Sequence, residues 1–100
     1  MKTSELTGAA LDWAVARCEG GVGKNQLIGA WYAPSTDWAQ GGPIIEREKI
    51  EIFMRDEEWY AASCRSTPED FHGDTPLIAA MRCYVASFID DEIEIPEELK

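Results

Sequence analysis

The side chains with the clearest capacity for chemistry lie in one short polar stretch, residues 35–43. It reads Ser-Thr-Asp-Trp-Ala-Gln-Gly-Gly-Pro, so two hydroxyls, a carboxylate, an indole and a carboxamide precede two glycines. Binding loops combine an aromatic platform, short hydrogen-bonding groups and glycines that let the backbone approach a ligand. The candidate ligand-binding residues are Ser35, Thr36, Asp37, Trp38, Gln40, Gly41 and Gly42. The alternative is a structural loop in which Trp38 fills the core.

A second candidate site lies at the predicted start of a helix. Thr75 suits the N-cap, and the proline after it suits the first helical position. Free backbone N–H groups at a helix start attract anions, and Arg82 lies on nearly the same side and can reach back toward that end. Gly73, Thr75 and Arg82 are therefore the candidate residues for binding a phosphate or carboxylate. The alternative is that Arg82 pairs with an acidic side chain such as Asp74 or Asp37.

Other chemistries have weak support in the sequence. Residues 19–25, EGGVGKN, resemble a deviant phosphate loop, but a helix precedes them and asparagine replaces the hydroxyl residue that would hold magnesium. The lone histidine, His72, has no convincing nucleophile beside it. Cys18, Cys64 and Cys83 are too widely spaced for a zinc site. We expect no catalytic residue, no metal and no cofactor, and hence no enzyme.

Composition narrows the class of protein and of partner. The chain has 100 residues, 45% hydrophobic, with a net charge of −10. This indicates one small globular domain spanning residues 1–100. Free nucleic acid is excluded as a favoured partner because its binding rests on lysine and arginine. The chain starts without an apolar run behind a basic segment, so we expect a cytosolic protein without a signal peptide or a membrane contact.

Two helices and a hairpin are predicted. The first helix begins after Thr7, repeats apolar residues at positions 11, 14, 15 and 18, and ends at a glycine pair. The second runs from Pro76 through an almost uncharged stretch to Ile89. Between them, strand-like runs at 50–54 and 59–63 flank a polar gap of four residues.

The remaining segments are assigned less regular structure. We expect loops at 34–43 and 66–74, a short strand at 26–32 and an acidic C-terminal tail at about 90–100 with room for an edge strand. The predicted fold class is α+β, with two helices packed on a short antiparallel β-sheet that contains the hairpin. Because the second helix lacks a polar face, we also expect a homodimer that covers part of it.

Three blocks of the sequence resemble a known family. They are LTGAALDWAVA at 6–16, STDW to GGPII at 35–45 and TPLIAAMRC at 75–83. In this order they are similar to the NinX-like family of small phage and prophage proteins, a family without an assigned activity. The resemblance implies an accessory gene of a bacteriophage, expressed in the host bacterial cytoplasm. Residues 55–70 match least.

Two function hypotheses follow. In the first, the protein counters host defence by sequestering a small anionic, nucleotide-type signal without chemistry. Trp38 or Trp31 would stack on a base, polar groups of the 35–40 stretch would read its edges, and the Thr75 helix start with Arg82 would hold phosphate. In the second, the acidic surface imitates nucleic acid and binds a basic host protein such as a nuclease or a DNA-binding factor.

Overall fold

A computed structural model describes residues 2–23, 28–29, 31–62, 71–89 and 92–99 of the chain. Within these ranges the elements follow the order α1 (Gly8–Cys18), α2 (Trp38–Glu48), β1 (Glu51–Arg55), β2 (Glu58–Ala62), β3 (Phe71–Gly73) and α3 (Pro76–Phe88). Short 3₁₀ turns occupy Thr3–Glu5 and Glu97–Leu99. The three strands form one antiparallel sheet in the order β1-β2-β3. The predicted α+β class is confirmed, with one helix more than expected.

The two predicted helices form where their caps place them. Helix α1 follows Thr7, ends before Glu19, and is followed by Gly20 in the left-handed region at φ 77°. Helix α3 begins after Thr75, whose hydroxyl accepts a hydrogen bond from the Ile78 N–H at 3.1 Å. Both helices are mostly buried, and α3 packs against the sheet and against α1. The core therefore lies between α3, α1 and one sheet face.

Helix α3 is covered within a single chain. Leu77, Met81 and Tyr84 are at most 2% exposed, whereas Phe88, the fourth residue of the predicted face, is 45% exposed. The apolar helix therefore needs no second copy to cover it, and the physical reason that led us to expect a homodimer does not hold. The oligomeric state itself stays a prediction.

Helix α2 corrects the predicted loop at 34–43. Asp37 is its N-cap, and the Asp37 carboxylate accepts a hydrogen bond from the Ala39 N–H at 2.9 Å. Glycine at 41 allows close packing, since a Cβ there would lie 2.4 Å from the Pro34 carbonyl oxygen. Pro43 lies inside the helix and costs it one backbone hydrogen bond. The Gly-Gly-Pro sequence therefore marks a tight helix contact rather than a chain break.

The sheet also differs from the prediction in detail. The hairpin turn has two residues, Asp56 and Glu57, rather than four, and both have positive φ (52° and 68°). That geometry matches the twist of the strands on either side. Strand β3 lies inside the predicted loop at 66–74; residues 63–70 lie outside the described part of the chain.

The other predicted strands are not seen among the described residues. Of the segment 26–32, positions 26, 27 and 30 lie outside the description, and the remaining residues are not in a strand. In the acidic tail, Glu92 forms an isolated bridge with Lys2, and residues 93–96 have no regular structure. Ile95 is only 5% exposed because its side chain joins the core. The described part of the tail is thus held by one isolated bridge and one apolar contact, and it forms no strand.

Candidate functional site

The turn before α2 is fixed by a buried carboxylate on α1. Asp12 is 7% exposed, and its Oδ1 accepts a hydrogen bond from the Ser35 N–H at 2.9 Å. Burial raises the pKa of Asp12, while the hydroxyl and the N–H of Ser35, both near the carboxylate, oppose that rise. Ser35 itself is 1% exposed, so it lies under the surface and cannot present its side chain to an external ligand without rearrangement.

The polar side chains of the predicted binding stretch mostly form hydrogen bonds with nearby backbone groups of the same chain segment. The Gln40 Oε1 accepts from the Ala33 N–H at 2.9 Å, and its Nε2 donates to the Trp31 carbonyl at 2.8 Å. The same Nε2 lies 3.0 Å from the Asp37 Oδ2. The Thr36 hydroxyl lies 3.5 Å from the Ala33 carbonyl. These groups fasten residues 31–33 to the first turn of α2.

In the stretch 35–43, the tryptophan lies on the surface and one of the two glycines is buried. Trp38 is 54% exposed on the first turn of α2, so it does not fill the core. Gly41 is buried, and a Cβ there would lie 2.6 Å from the Leu77 side chain. A Cβ on Gly42 would make only an ordinary contact of 3.9 Å with the Trp38 ring. Trp38 is therefore the member of the group with a large accessible surface.

The predicted phosphate site at the start of α3 is occupied by internal contacts. Arg82 reaches toward the helix N-terminus as expected, but its Nε donates to the Leu6 carbonyl at 2.7 Å and one terminal nitrogen to the His72 carbonyl at 2.9 Å. Burial lowers the pKa of Arg82, and the Asp74 charge opposes that effect. The Thr75 hydroxyl caps the helix. Gly73 packs so closely on α3 that a Cβ there would lie 2.7 Å from Ile78.

A cavity of about 450 Å³ lies elsewhere, beside the C-terminus of α1. Trp31 is the predicted site residue that lines it. The other described lining residues are Ala16, Glu19, Gly21, Val22, Ile28, Gly29 and Tyr32. Trp31 is 77% exposed and meets the Tyr32 ring edge to face at 5.8 Å. The cavity therefore combines an apolar floor with two aromatic rings and one carboxylate.

The cavity carboxylate belongs to a hydrogen-bonded network that joins three helices. Arg47, near the end of α2, donates to both Glu19 oxygens at 3.1 and 2.6 Å and to the Tyr84 hydroxyl at 3.2 Å. Tyr84 also donates a short hydrogen bond to Glu19. Its donors hold the pKa of Glu19 below the usual value, Arg47 contributing most. Glu19 is thus an ionised acceptor at neutral pH.

Neighbouring acidic groups respond to the same environment. Burial, reinforced by the Glu19 charge, raises the pKa of the Cys18 thiol to about 12. The pKa values of Tyr32 and Tyr84 are raised, again mainly by burial with Glu19 adding to it. Both phenols and the thiol are therefore neutral around pH 7, and none of them provides an anionic nucleophile.

The cavity and the α3 start are separate places. Arg82 and Tyr84 are two residues apart on one helix, which rotates their side chains by about 200°. Arg82 contacts Leu6 and His72, whereas Tyr84 contacts Glu19. The cavity therefore does not place Trp31 beside Arg82, the residue to which the nucleotide hypothesis assigns the phosphate. Sequence reasoning missed Glu19 because its partners lie 28 and 65 positions away.

The family comparison addresses this whole arrangement. A family model described as "Bacteriophage P22, NinX" matches residues 2–87. The chain belongs to the bacteriophage P22 NinX family. The NinX match covers all three helices except the last residue of α3, the whole sheet and every lining residue of the cavity. The chain matches no curated protein. The family resemblance inferred from the sequence is thus confirmed, and it supports a phage accessory protein.

Two features are absent from the described part of this NinX-family chain. None of the helices there is long and apolar enough to cross a membrane. The same residues contain no group of three or more histidine, cysteine, aspartate or glutamate side chains placed to hold a metal ion.

Proposed function

We propose that this phage accessory protein binds a small ligand with an aromatic base and sequesters it without chemical change, so that a nucleotide-type signal of host defence is withdrawn. The observation that carries the proposal is the cavity of about 450 Å³ in which the Trp31 and Tyr32 rings stand beside the Glu19 carboxylate. Its size falls within the range of small-molecule sites, and its wall is mainly apolar with a few polar groups.

Trp31 would provide the stacking surface. Its ring is 77% exposed although the residues around it pack against the core, and a large exposed indole on the rim of a cavity offers a platform for a planar base. Stacking of a base on an aromatic side chain contributes about 1–3 kcal/mol and does not depend on the identity of the base. The Tyr32 ring packs edge to face against the Trp31 ring and would fix the orientation of the indole.

Glu19 would determine which edge of the base is read. Because it is ionised, it can only accept hydrogen bonds, so the ligand must supply donors such as an exocyclic amino group or a ring N–H. Arg47 binds the same carboxylate, and its side chain is 51% exposed. Arg47 also donates to Glu48 and to the Tyr84 hydroxyl, so its guanidinium holds Glu19 in place. Arg82 is likewise committed to two carbonyls.

Sequestration is favoured over turnover by the chemistry of the cavity wall. Its described residues include a carboxylate and a neutral phenol, but no serine, threonine, cysteine, histidine or lysine. Binding alone needs none of those groups. A tightly binding protein that removes a signal mole for mole would act without a nucleophile or a cofactor.

Calorimetric titration tests the ligand class. The probes are guanosine 5′-monophosphate and adenosine 5′-monophosphate, with ribose 5-phosphate as the control that lacks a base. We expect binding of at least one nucleotide, no binding of the sugar phosphate, and a loss of about 1–3 kcal/mol in Trp31→Ala. Glu19→Gln should weaken binding while the variant stays folded, as circular dichroism would show.

The two exposed tryptophans provide a matched pair of variants. Trp38 is 54% exposed and does not line the cavity, so Trp38→Ala should bind the nucleotide like the parent protein. Loss of binding in Trp38→Ala with normal binding in Trp31→Ala would move the site to the first turn of α2. Absence of binding by both nucleotides, or equal binding of ribose 5-phosphate, would contradict the proposed ligand class. A plaque assay on a defended host then tests whether Trp31→Ala also loses protection.

The charge of the chain favours one second candidate, an acidic imitation of nucleic acid that binds a basic host protein. The net charge is −10, and exposed carboxylates such as Glu94 and Glu98 follow one another in the C-terminal segment. Replacing both with lysine should abolish partner binding and its salt dependence under this hypothesis. The same double variant should retain nucleotide binding if the cavity is the functional site.

A further inference from the structure

Among the strands that the structure describes, β1 forms one edge of the sheet. In the strand order β1-β2-β3, β1 pairs on one side only, and no described strand lies beyond it. Its residues are exposed or half-buried, and Met54 is 55% exposed although it is a large apolar side chain. An open edge offers a row of unpaired N–H and C=O groups to another strand.

The hairpin determines which backbone groups face that edge. Arg55 and Glu58 flank the two-residue turn, and residues in that position exchange both of their backbone hydrogen bonds. The backbone N–H and C=O groups of successive residues point to opposite sides of a strand. Those of Glu51, Phe53 and Arg55 therefore point toward β2. The N–H and C=O groups of Ile52 and Met54 are therefore the ones that point outward.

The five residues of β1 are self-complementary in one register. Suppose that a second copy of β1 pairs antiparallel with the first and that Phe53 lies at the two-fold axis. Ile52 then lies opposite the partner's Met54, and the backbone groups of these two residues can hydrogen-bond between the chains. Glu51 then stands opposite the partner's Arg55, twice by symmetry. Phe53 stands opposite the partner's Phe53 in a pair without hydrogen bonds, where the side chains approach most closely. This register therefore pairs opposite charges with each other, apolar side chains with each other, and outward-pointing backbone donors with acceptors.

The outer sheet face adds an aromatic row to the same axis. Phe53 stacks on Tyr60 with centroids 5.8 Å apart and planes at 12°, and Tyr60 contacts His72 at 5.9 Å. The Arg55 guanidinium lies 5.1 Å from the Phe53 ring centre and 5.0 Å from that of Tyr60. Pairing at Phe53 would join this row to its symmetry copy across two chains. Aromatic cross-strand pairs are among those that stabilise a sheet.

We propose that two copies of this chain associate through antiparallel β1–β1 pairing centred on Phe53, which makes one six-stranded sheet with a continuous aromatic outer face. The proposal commits to a second copy because the charge pattern of β1 complements itself, Glu51 against Arg55. It does not depend on a ligand in the cavity, whose described lining belongs to the end of α1 and to residues 19, 21–22, 28–29 and 31–32. The contact is short, so association belongs to the weak end of specific interfaces.

Sedimentation velocity across a concentration series tests the proposal. We expect the parent protein to pass from 11.2 kDa to twice that mass as its concentration rises to about 500 μM, within the range of weak interfaces. Arg55→Glu places two like-charged pairs across the axis and should weaken association about tenfold or more. The double exchange Glu51→Arg with Arg55→Glu restores both pairs and should recover it. Glu5→Arg, an exposed charge reversal outside the sheet, should leave the mass unchanged.

Cysteine cross-linking locates the axis. In Phe53→Cys, the two new thiols would face each other in a close pair, with Cα atoms about 4.5 Å apart. Tyr60→Cys places a thiol on the same face, but one strand further from the axis in each chain, about 14 Å from its copy and beyond disulfide reach. Oxidation should therefore link Phe53→Cys and leave Tyr60→Cys at the level of the parent protein, whose own cysteines provide the blank.

Three results would overturn the proposal. A parent protein that stays at 11.2 kDa over the whole series would show that a second copy does not cover the edge. A dimer unaffected by Arg55→Glu would place the interface elsewhere. Equal cross-linking of the two cysteine variants would exclude the Phe53 register. Circular dichroism of each variant separates loss of association from loss of folding, and nucleotide titration of the monomeric variant separates this failure from that of the ligand proposal.

Discussion

Adjacent glycines in α2 should respond to alanine with opposite signs. A Cβ at Gly41 would lie 2.4 Å from the Pro34 carbonyl oxygen and 2.6 Å from the Leu77 Cδ2 atom, closer than a packed interior accepts. The oxygen belongs to the backbone of a buried residue, so relief requires a shift of the helix or of the 31–35 segment. A Cβ at Gly42 would meet only the Trp38 ring, at 3.9 Å.

The magnitudes follow from two separate effects. Alanine in place of glycine stabilises a helix interior by about 0.5–1 kcal/mol, and this gain applies to both positions. Overpacking typically costs about 1–3 kcal/mol and applies only at Gly41. Gly42→Ala should therefore raise the free energy of unfolding slightly, and Gly41→Ala should lower it. The difference between the two variants removes the helix effect and measures the packing cost alone.

Thermal and urea unfolding of both variants, followed by circular dichroism, provide the measurement. A difference of 1 kcal/mol corresponds to about 4–8 °C in Tm for a domain of this size. We expect Gly41→Ala to melt below the parent protein and Gly42→Ala at or above it. Equal melting temperatures for the two variants would refute the close approach at Gly41. A strong loss of stability in Gly42→Ala would contradict the assignment of α2 itself.

Three further predictions concern the core and two hydrogen-bonded carboxylates, the buried Asp12 and the partly exposed Glu19. Met81→Ala should cost about 2–5 kcal/mol because its side chain is fully buried, whereas Phe88→Ala, at an exposed position, should cost far less in the same urea titration. Asp12→Asn keeps an acceptor for the Ser35 N–H but cannot titrate. Burial raises the pKa of Asp12 in the folded state above the unfolded value of 3.8. The parent protein should therefore gain stability relative to this variant as the pH falls from 7 toward 3.8. An unchanged difference between pH 7 and 4 would contradict that burial effect. Glu19→Gln should behave in the opposite way, since the pKa of Glu19 is lowered in the folded state. Above pH 4.5 this variant should be less stable than the parent protein by about 1 kcal/mol, because the network is partly exposed. The difference should disappear as the pH falls through the folded-state pKa of Glu19. A deficit that persists at pH 2 would indicate a packing effect instead.

Local signals in the sequence determined the elements whose cause is local. Thr75 followed by proline places the start of α3, and Gly20 with its left-handed φ places the end of α1. Alternation on either side of a polar gap locates the hairpin to within a residue or two. Caps, turns and apolar periodicity act over a few residues, so they can be identified in the chain before it folds. The family blocks likewise are a property of the sequence.

Only the tertiary structure decided the features that depend on distant partners. Gly-Gly-Pro suggested a loop, but Gly41 is needed because α2 approaches Pro34 and Leu77 closely, and helix packing overrides a weak local propensity. Strand β3 has three residues and exists through its pairing with β2. Arg82 could be placed on α3 from the sequence, yet its acceptors are carbonyls 10 and 76 positions away. The Glu19 cavity is assembled in the same way, because Arg47 and Tyr84 meet that carboxylate only after three helices have packed.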